Sequence, residues 1–323
     1  VIAMTAIQLG KHVYCEKPLT HSVYEARTLA KAARDAKVAT QMGNQGQASD
    51  EARVLAELIW DGAIGNVREI HGWCNRNPSI SPRGMARPQG ETPVPPTLDW
   101  DLWLGPAPNR PYVEGAYLPF IWRGWWDFGT GVLGDIGCHN FSAIFKALKL
   151  GHPTSVEATS TAAQSPPEVN NESAPIASIV RYEFPADGDR PAVSLTWWDG
   201  GLMPPRPEEL EPDKKFGGGD GMLYVGDKGK ILDYQLIPET RKKDYGAPPK
   251  KLPRSPGHGI EWVNACKGGE PAGANFDFAG PLTEVVLLGN IAIRTQQKLL
   301  WDGPNMTITN VPEANQYINP PYR

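Results

Sequence analysis

The sequence predicts two units of different class. Residues 1–45 read as an α/β unit with a parallel sheet, and 46–323 as an α+β unit on an open, mainly antiparallel sheet with its helices on one face. Three observations carry this. Residues 1–43 alternate helix, strand, helix, strand, the rhythm of parallel pairing, in which each crossover is a helix. In the second half, TSVEATST, IASIVRYEF and AVSLTWWDG follow in close succession with no helical crossover between them. A chain of 323 residues is also long enough for two domains.

The elements follow in order. Residues 2–9 carry apolar side chains at helical spacing, with Gly10 placed as a C-cap. HVYC (12–15) is a short β-prone run leading into EKPLTHS, a polar loop. Ser22 and Glu25 make a capping-box pattern ahead of VYEARTLAKAARDA. VATQMG (38–43) is the next strand, and a helix over 49–61 has Ser49 as cap and Gly62 as terminator. A strand runs over 67–75; residues 76–128 then form a long loop rich in Pro, Trp and Gly, containing DWDLWLG and WRGWWDF. A helix over about 135–148 precedes the antiparallel run. In IASIVRYEF, residues Ile176, Ser178, Val180, Tyr182 and Phe184 share one face. MLYVG and KILDYQL flank Asp-Lys-Gly, a hairpin signal. Two late helices, near 258–267 and 278–297, and a short strand with an extended arm complete the chain.

Bulk properties exclude several classes. A net charge of −4 gives no electrostatic reason to bind nucleic acid. No run approaches eighteen apolar residues, so no transmembrane helix and no membrane partner are expected. Cys15, Cys74, Cys138 and Cys266 show no C-x-x-C, which points to free thiols rather than a zinc site or a disulfide scaffold. No metal-ligand spacing such as H-E-x-x-H, no Walker A pattern and no G-x-S-x-G elbow occurs, so no metal is expected.

Four stretches could carry chemistry. Lys17, in Glu-Lys-Pro just after a strand, stands where open α/β sheets bind ligands. It could polarise an oxygen, or be half of a solvated Glu-Lys pair before a turn proline. Asp135 and His139 lie four apart on one helix face. They could supply acid–base chemistry, or be a cap and a satisfied core histidine. Residues 129–134, GTGVLG, match the dinucleotide fingerprint G-x-G-x-x-G, but WRGWWDF precedes them where a buried apolar strand is needed. The stretch reads better as a glycine-rich helix entrance. Trp122, Trp125 and Trp126 read equally as a sugar-stacking wall or as core. Arg123 and Asp127, between and beside them, and His258 further on join them as candidate substrate contacts.

Together, GKHVYCEKPLTHSVYEARTLAKAA, GDIGCH, MLYVGDKGKI, GHGIEWVNACKGG and FAGPLTEVVLLGNIAIR resemble one family over essentially the whole chain. It is the glucose–fructose oxidoreductase, inositol dehydrogenase and rhizopine-catabolism (Gfo/Idh/MocA) family. The resemblance implies an N-terminal Rossmann domain, an open-sheet second domain, and NAD or NADP as cofactor. It implies hydride transfer at a secondary alcohol of a sugar or cyclitol. On this reading Lys17 holds the substrate and polarises the reacting oxygen, His139 exchanges the hydroxyl proton, and Asp135 places Lys17. Glu16, Asn44 and Gln45 lie at the cofactor, and the Lys17–Pro18 bond is cis. The family's glycine fingerprint opens a strand that would precede Val1, so residues 1–45 read as a remnant of the Rossmann domain. An edge near residues 12–15 is then expected to be paired or capped.

Two other functions fit the same residues. One is glycoside hydrolysis, by transient NAD-linked oxidation or directly by carboxylates drawn from Glu16, Asp127 and Asp135. The other is non-catalytic sugar binding. A homodimer or homotetramer is expected through the open sheet face, where residues such as Val180 and Trp197 would need cover. Cytoplasmic location is the expectation, with the periplasm as the alternative, since any signal would precede Val1.

Overall fold

A computed structural model describes residues 1–75 and 83–323. The expected Trp-rich loop thus lies partly outside the described residues. Two sheets organise the chain. In the first, α1 (Ile2–Gln8), β1 (Val13–Cys15), α2 (Val23–Ala36) and β2 (Thr40–Met42) form a parallel β1–β2 pair with helical crossovers. The capping box at α2 is present: Glu25 N donates to Ser22 Oγ (3.3 Å), and Ser22 N donates to Glu25 Oε2 (2.9 Å). The Lys17–Pro18 bond is cis. Among the described residues β1 pairs with β2 alone, so the pairing expected on its other edge is not found.

A 3-10 turn (Gln45–Ala48) leads to α3 (Asp50–Trp60), capped by Ser49 and followed by Gly62 at φ 75°. After it come β3 (Val67–Cys74) and α4 (Trp100–Leu104). The sequence reading missed α4, which sits inside DWDLWLG. Asp99 caps it, accepting from Leu102 N at 3.0 Å. Next are α5 (Cys138–Leu148), β4 (Ser155–Ser160), α6 (Pro167–Asn170), β5 (Ser178–Phe184) and β6 (Val193–Asp199). Then follow β7 (Asp220–Gly226), β8 (Lys230–Leu232), β9 (Gln235–Ile237), α7 (Glu239–Tyr245) and α8 (His258–Cys266). The chain closes with α9 (Phe276–Thr295), β10 (Leu299–Asp302) and β11 (Thr307–Ile308).

The second sheet has the order β11-β10-β4-β5-β6-β3-β7-β8-β9. Only β3–β6 pairs in parallel; every other neighbour is antiparallel. The expected hairpin is β7–β8, its turn held by Asp227. Helices α5 and α9 cover one face. Phe141 of α5 meets Tyr182 and Trp197 edge-on, at 6.1 and 5.7 Å.

That contact corrects one expectation. Val180 and Trp197 do not look outward; both are fully buried under the helices. The opposite face carries Thr196, in register with Arg181 and His71, and Trp198, in register with Ile179 and Trp73. Part of it is covered by the chain's own 203–216 segment, where Leu210, Met203 and Phe216 pack near Trp73 and Leu223.

Helix α9 departs from the expectation that no stretch reaches membrane-spanning length. It is long and apolar enough by length and composition, and 83% of that window is buried inside the protein. Its apolarity follows from its position: it packs against α2 and β2 on one side and β4 and β5 on the other.

Candidate active site

Lys17 leaves β1 in the loop that follows it, and Asp135 stands in the turn that opens α5. That turn is π-helical over Leu133–Gly137, where a regular α-helix was expected from 135. A π turn inserts one residue and redirects the side chains around it, often at functional positions. Here it aims both the side chain and the main-chain carbonyl of Asp135 at one lysine. Lys17 Nζ donates to Asp135 O at 2.5 Å and forms a short ion pair with Asp135 Oδ1. Arg123 Nε donates to the same Oδ1 at 3.3 Å. The Arg123 guanidinium lies over the rings of Trp122 (4.6 Å) and Phe120 (5.1 Å), and Nη1 donates to Phe120 O at 3.2 Å. Two cations therefore converge on one carboxylate oxygen, and His139 follows in the first turn of α5. Lys17, Asp135 and Arg123 all remain about one-fifth exposed, so the cluster is open to a ligand.

The GTGVLG stretch makes this approach possible. A Cβ on Gly129 would stand 2.3 Å from Arg123 O, and one on Gly134 1.9 Å from Thr130 Oγ1. Gly131 has φ 62°. The glycines let the chain turn tightly against Arg123 and enter the π turn; no strand leads directly into them. Asn290 on α9 donates to Thr130 O at 2.8 Å and pins the stretch from below. Beside Asp135, the Cys138 thiol is fully buried, and burial pushes its pKa up to about 12. It stays a thiol, donating to Asp135 O.

At the carboxyl ends of β1 and β2 lie Glu16, Gly43, Asn44 and Gln45. A Cβ on Gly43 would come within 2.3 Å of Glu16 Oε2, so the glycine makes room for that carboxylate. Asn44 is fully buried; Nδ2 donates to Ser142 Oγ (3.1 Å), and Ser142 donates on to Gln47 Oε1 (2.7 Å). Asn44 Oδ1 is buried with no partner. An orphaned amide oxygen at the carboxyl end of a parallel strand is a ready acceptor for a ligand N–H. These residues therefore fit the carboxamide end of a nicotinamide. Gln45 is exposed and reaches Tyr14 Oη at 3.4 Å.

Sequence reasoning missed Ser142 and Gln47. The spacing carried one usable signal: Ser142 is three residues beyond His139, on the same helical face.

The remaining candidates fall elsewhere. Trp125 and Trp126 are core, 1% and 5% exposed, and their indole N–H groups donate to Ala116 O and Asn170 O. Neither offers a face to a sugar, because both rings are spent on packing. Asp127 is held in an ion pair by the buried Arg110, which also bonds Glu172. His258 opens α8, where Nε2 meets Met42 O at 3.1 Å and the ring meets Tyr14 edge-on at 5.8 Å. It fastens α8 to β2. Of the proposed aromatic wall only Trp122 keeps an accessible ring.

A short parallel pair that delivers a lysine to the helical entrance of a large mixed sheet defines a two-unit protein of Rossmann type. The NAD-binding Rossmann-fold model of the oxidoreductase family GFO_IDH_MocA matches residues 1–44, and that family's C-terminal alpha/beta domain model matches 84–177. These two matches, with the curated oxidoreductase relative below, support membership of the Gfo/Idh/MocA oxidoreductase family. A relative described as an uncharacterized oxidoreductase of Streptococcus pneumoniae is 34% identical over 80 residues, 24% of this chain and 22% of that protein. The match thus spans under a quarter of the curated relative's length.

Solved structures share the fold. The WlbA dehydrogenase of Bordetella pertussis, solved with NADH and UDP-GlcNAcA, superposes with a TM-score of 0.57 at 14% identity, over 93% of this chain and 74% of its own. The aldose-aldose oxidoreductase of Caulobacter crescentus, solved with glycerol, gives 0.53 at 15% identity, over 93% and 75%.

Proposed function

We propose that this chain forms the alcohol-handling site of an NAD(P)-dependent oxidoreductase acting on a secondary hydroxyl of a sugar or cyclitol. The observation that carries the reading is the Lys17 ammonium bound to the side chain and the carbonyl of Asp135, one turn before His139. Lys17 is thereby fixed with protons to offer, at the carboxyl end of a strand that also borders Glu16, Asn44 and Gln45. Those last three would hold the nicotinamide end of NAD or NADP, which when bound accepts a hydride from the carbinol carbon. Residues 1–44 contribute no glycine-rich phosphate loop to that binding.

The chain's own residues divide the remaining work. Lys17 donates a hydrogen bond to the substrate oxygen and stabilises negative charge as it develops there. His139 takes the hydroxyl proton in oxidation and returns it in reduction. Asp135 positions Lys17, and Arg123 holds Asp135.

Direct two-carboxylate glycoside hydrolysis loses support, because two of its three candidate carboxylates are already engaged by cations. Asp127 and Asp135 are both in ion pairs with cations.

The test is NAD(P)⁺ reduction with a panel of hexoses, pentoses and inositols, followed by absorbance. Nicotinamide binding is read independently by ligand-observed NMR. Reduction with at least one polyol, lost in Lys17→Ala, is the expected result. Silence across the panel while the nicotinamide binds would overturn the choice of substrate class. Failure of both NAD⁺ and NADP⁺ to bind would overturn the cofactor.

A further inference from the structure

DWDLWLG and WRGWWDF hold five of the chain's eleven tryptophans, and the chemistry above uses only one of the five. Folding brings them together. Trp100 and Trp103 stack at 4.9 Å with 9° between their planes, and Trp103 meets Phe128 at 4.8 Å. Arg110 lies over Phe128 at 4.9 Å and holds Asp127.

Beside this cluster runs a groove of about 590 Å³, within the range of small-molecule sites. Trp103, Trp122, Phe128, Asp127, His21 and Glu25 are among the residues that line it. Pro320, Pro321 and Tyr322 close it, with Tyr322 Oη donating to Glu25 Oε1 at 2.5 Å. Arg323 holds that strap by donating to Asp101 O and Gly105 O at 2.9 and 2.7 Å. The lining is preorganised: Trp103 packs against Trp100 and Phe128, and Asp127 stays 29% exposed while Arg110 fixes its direction.

Partly exposed indoles beside an oriented carboxylate suit one ligand chemistry in particular. A sugar ring offers apolar C–H faces to the indoles and hydroxyl donors to the carboxylate. The groove is linked to the Lys17 site through two neighbouring residues. Trp122 lines it, and its neighbour Arg123 stacks on Trp122 and bonds Asp135.

From this we infer that the groove is a second saccharide subsite. It takes the neighbouring sugar of a glycoside whose reacting ring lies at Lys17 and His139. The inference rests on the sugar reading of that site. It makes the preferred substrate a disaccharide or larger glycoside rather than a free monosaccharide.

The experiment is calorimetric titration of the protein with maltose, cellobiose, lactose and trehalose, and with glucose and galactose. It is run on wild type, Trp103→Leu, Asp127→Asn and Lys17→Ala, each checked for folding by circular dichroism. A parallel measurement follows the ¹⁹F resonances of fluorotryptophan-labelled wild type, which needs no variant to fold. The expected result is at least one disaccharide binding tenfold or more tighter than its monosaccharides. That advantage disappears in Trp103→Leu and shrinks in Asp127→Asn, while monosaccharide binding is kept. In the labelled protein the disaccharide shifts the Trp103 and Trp122 signals, and the monosaccharide does not shift Trp103.

Monosaccharide binding that depends on Lys17, with no disaccharide advantage, overturns the subsite and leaves the site reading standing. A disaccharide advantage undiminished in Trp103→Leu, with no shift at Trp103, overturns it as well. Disaccharide binding that needs Trp103 but not Lys17, without oxidation, keeps the groove as a saccharide site and overturns the site reading. No binding of either size overturns both.

Discussion

Lys17 and Asp135 are 118 residues apart in the chain and share a hydrogen bond to one carbonyl and an ion pair to one carboxylate. Nothing local to Glu-Lys-Pro separates a working lysine from a solvated one; the partner does. Lys17→Ala is expected to lower kcat/KM by about a thousandfold, the range of a lost acid–base or polarising group. Arg123 acts one step back, through Asp135. A hydrogen bond to a charged group is worth roughly 1.5–3 kcal/mol, so Arg123→Ala is expected to cost about tenfold to a hundredfold in kcat. KM should move little, since Arg123 is spent on Asp135, and Arg123→Lys should rescue only in part because the stacked planar guanidinium is lost. Steady-state kinetics on the best substrate of the panel reads all three. At this scale Lys17, Asp135 and His139 were singled out through residue type and a resemblance, and the structure brings Lys17 and Asp135 together. Trp125 and Trp126 were misread, because a tryptophan looks the same in sequence whether it faces a ligand or the core.

Among the elements, the entrance to α5 is the one the sequence described least well. The pattern pointed to a helix and could not show that its first turn is π-helical, since that depends on what presses against it. Arg123 main chain against Gly129 and Asn290 against Thr130 O supply that pressure. Gly129→Ala is a direct probe. Its Cβ would meet the Arg123 backbone, which cannot yield as a flexible side chain can, so Arg123 should move off Asp135. The expected outcome is a folded protein with activity reduced as in Arg123→Ala, and a double variant no worse than either single one. Kinetics of the three variants checks this. The start of α2 is the opposite case: Ser22 and Glu25 are three residues apart, so the capping box was readable directly. Ser22→Ala should cost about 1 kcal/mol, seen in chemical denaturation.

Across the whole molecule, two buried carboxylates tie distant segments together. Glu284 on α9 is 1% exposed and accepts from Arg27 of α2 (2.7 and 2.8 Å), His152 (2.9 Å) and Trp301 (3.1 Å). Removing its main cation strands a buried charge, so Arg27→Met should destabilise by roughly 3 kcal/mol, measured by urea unfolding. Glu57 on α3 is fully buried and accepts from Arg254 and from Lys251 N and Leu252 N, which clamps the 251–254 segment. The Arg254 guanidinium, ahead of the two backbone N–H groups, holds its pKa down at about 2, although burial pushes the other way.

The sign of the pH effect follows from that depression. With the folded pKa below the ordinary carboxylate range, the stabilisation is present above pH 4.5 and is lost as pH falls towards 2. Glu57→Gln should flatten that part of the acid-unfolding curve and lower Tm at neutral pH; a wild-type slope retained in the variant would remove Glu57 as its source. The association expected through the open sheet face would use Trp198 and its polar neighbours rather than a broad apolar surface. Sedimentation of wild type against Trp198→Arg tests it, with dissociation in the variant as the expected outcome.

By itself the sequence determined the order of elements, the parallel start, the antiparallel continuation, the caps and the residues that resemble a known family. These are legible because hydrophobic periodicity, capping side chains and turn residues act over a few positions. Only the tertiary structure decided which side chains meet. It put Lys17 and Arg123 on one oxygen of Asp135, turned Val180 and Trp197 inward, and buried two tryptophans while leaving Trp103 and Trp122 at a groove. The physical reason is that a side chain's role depends on burial and on partners, and both are set by segments tens or hundreds of residues away.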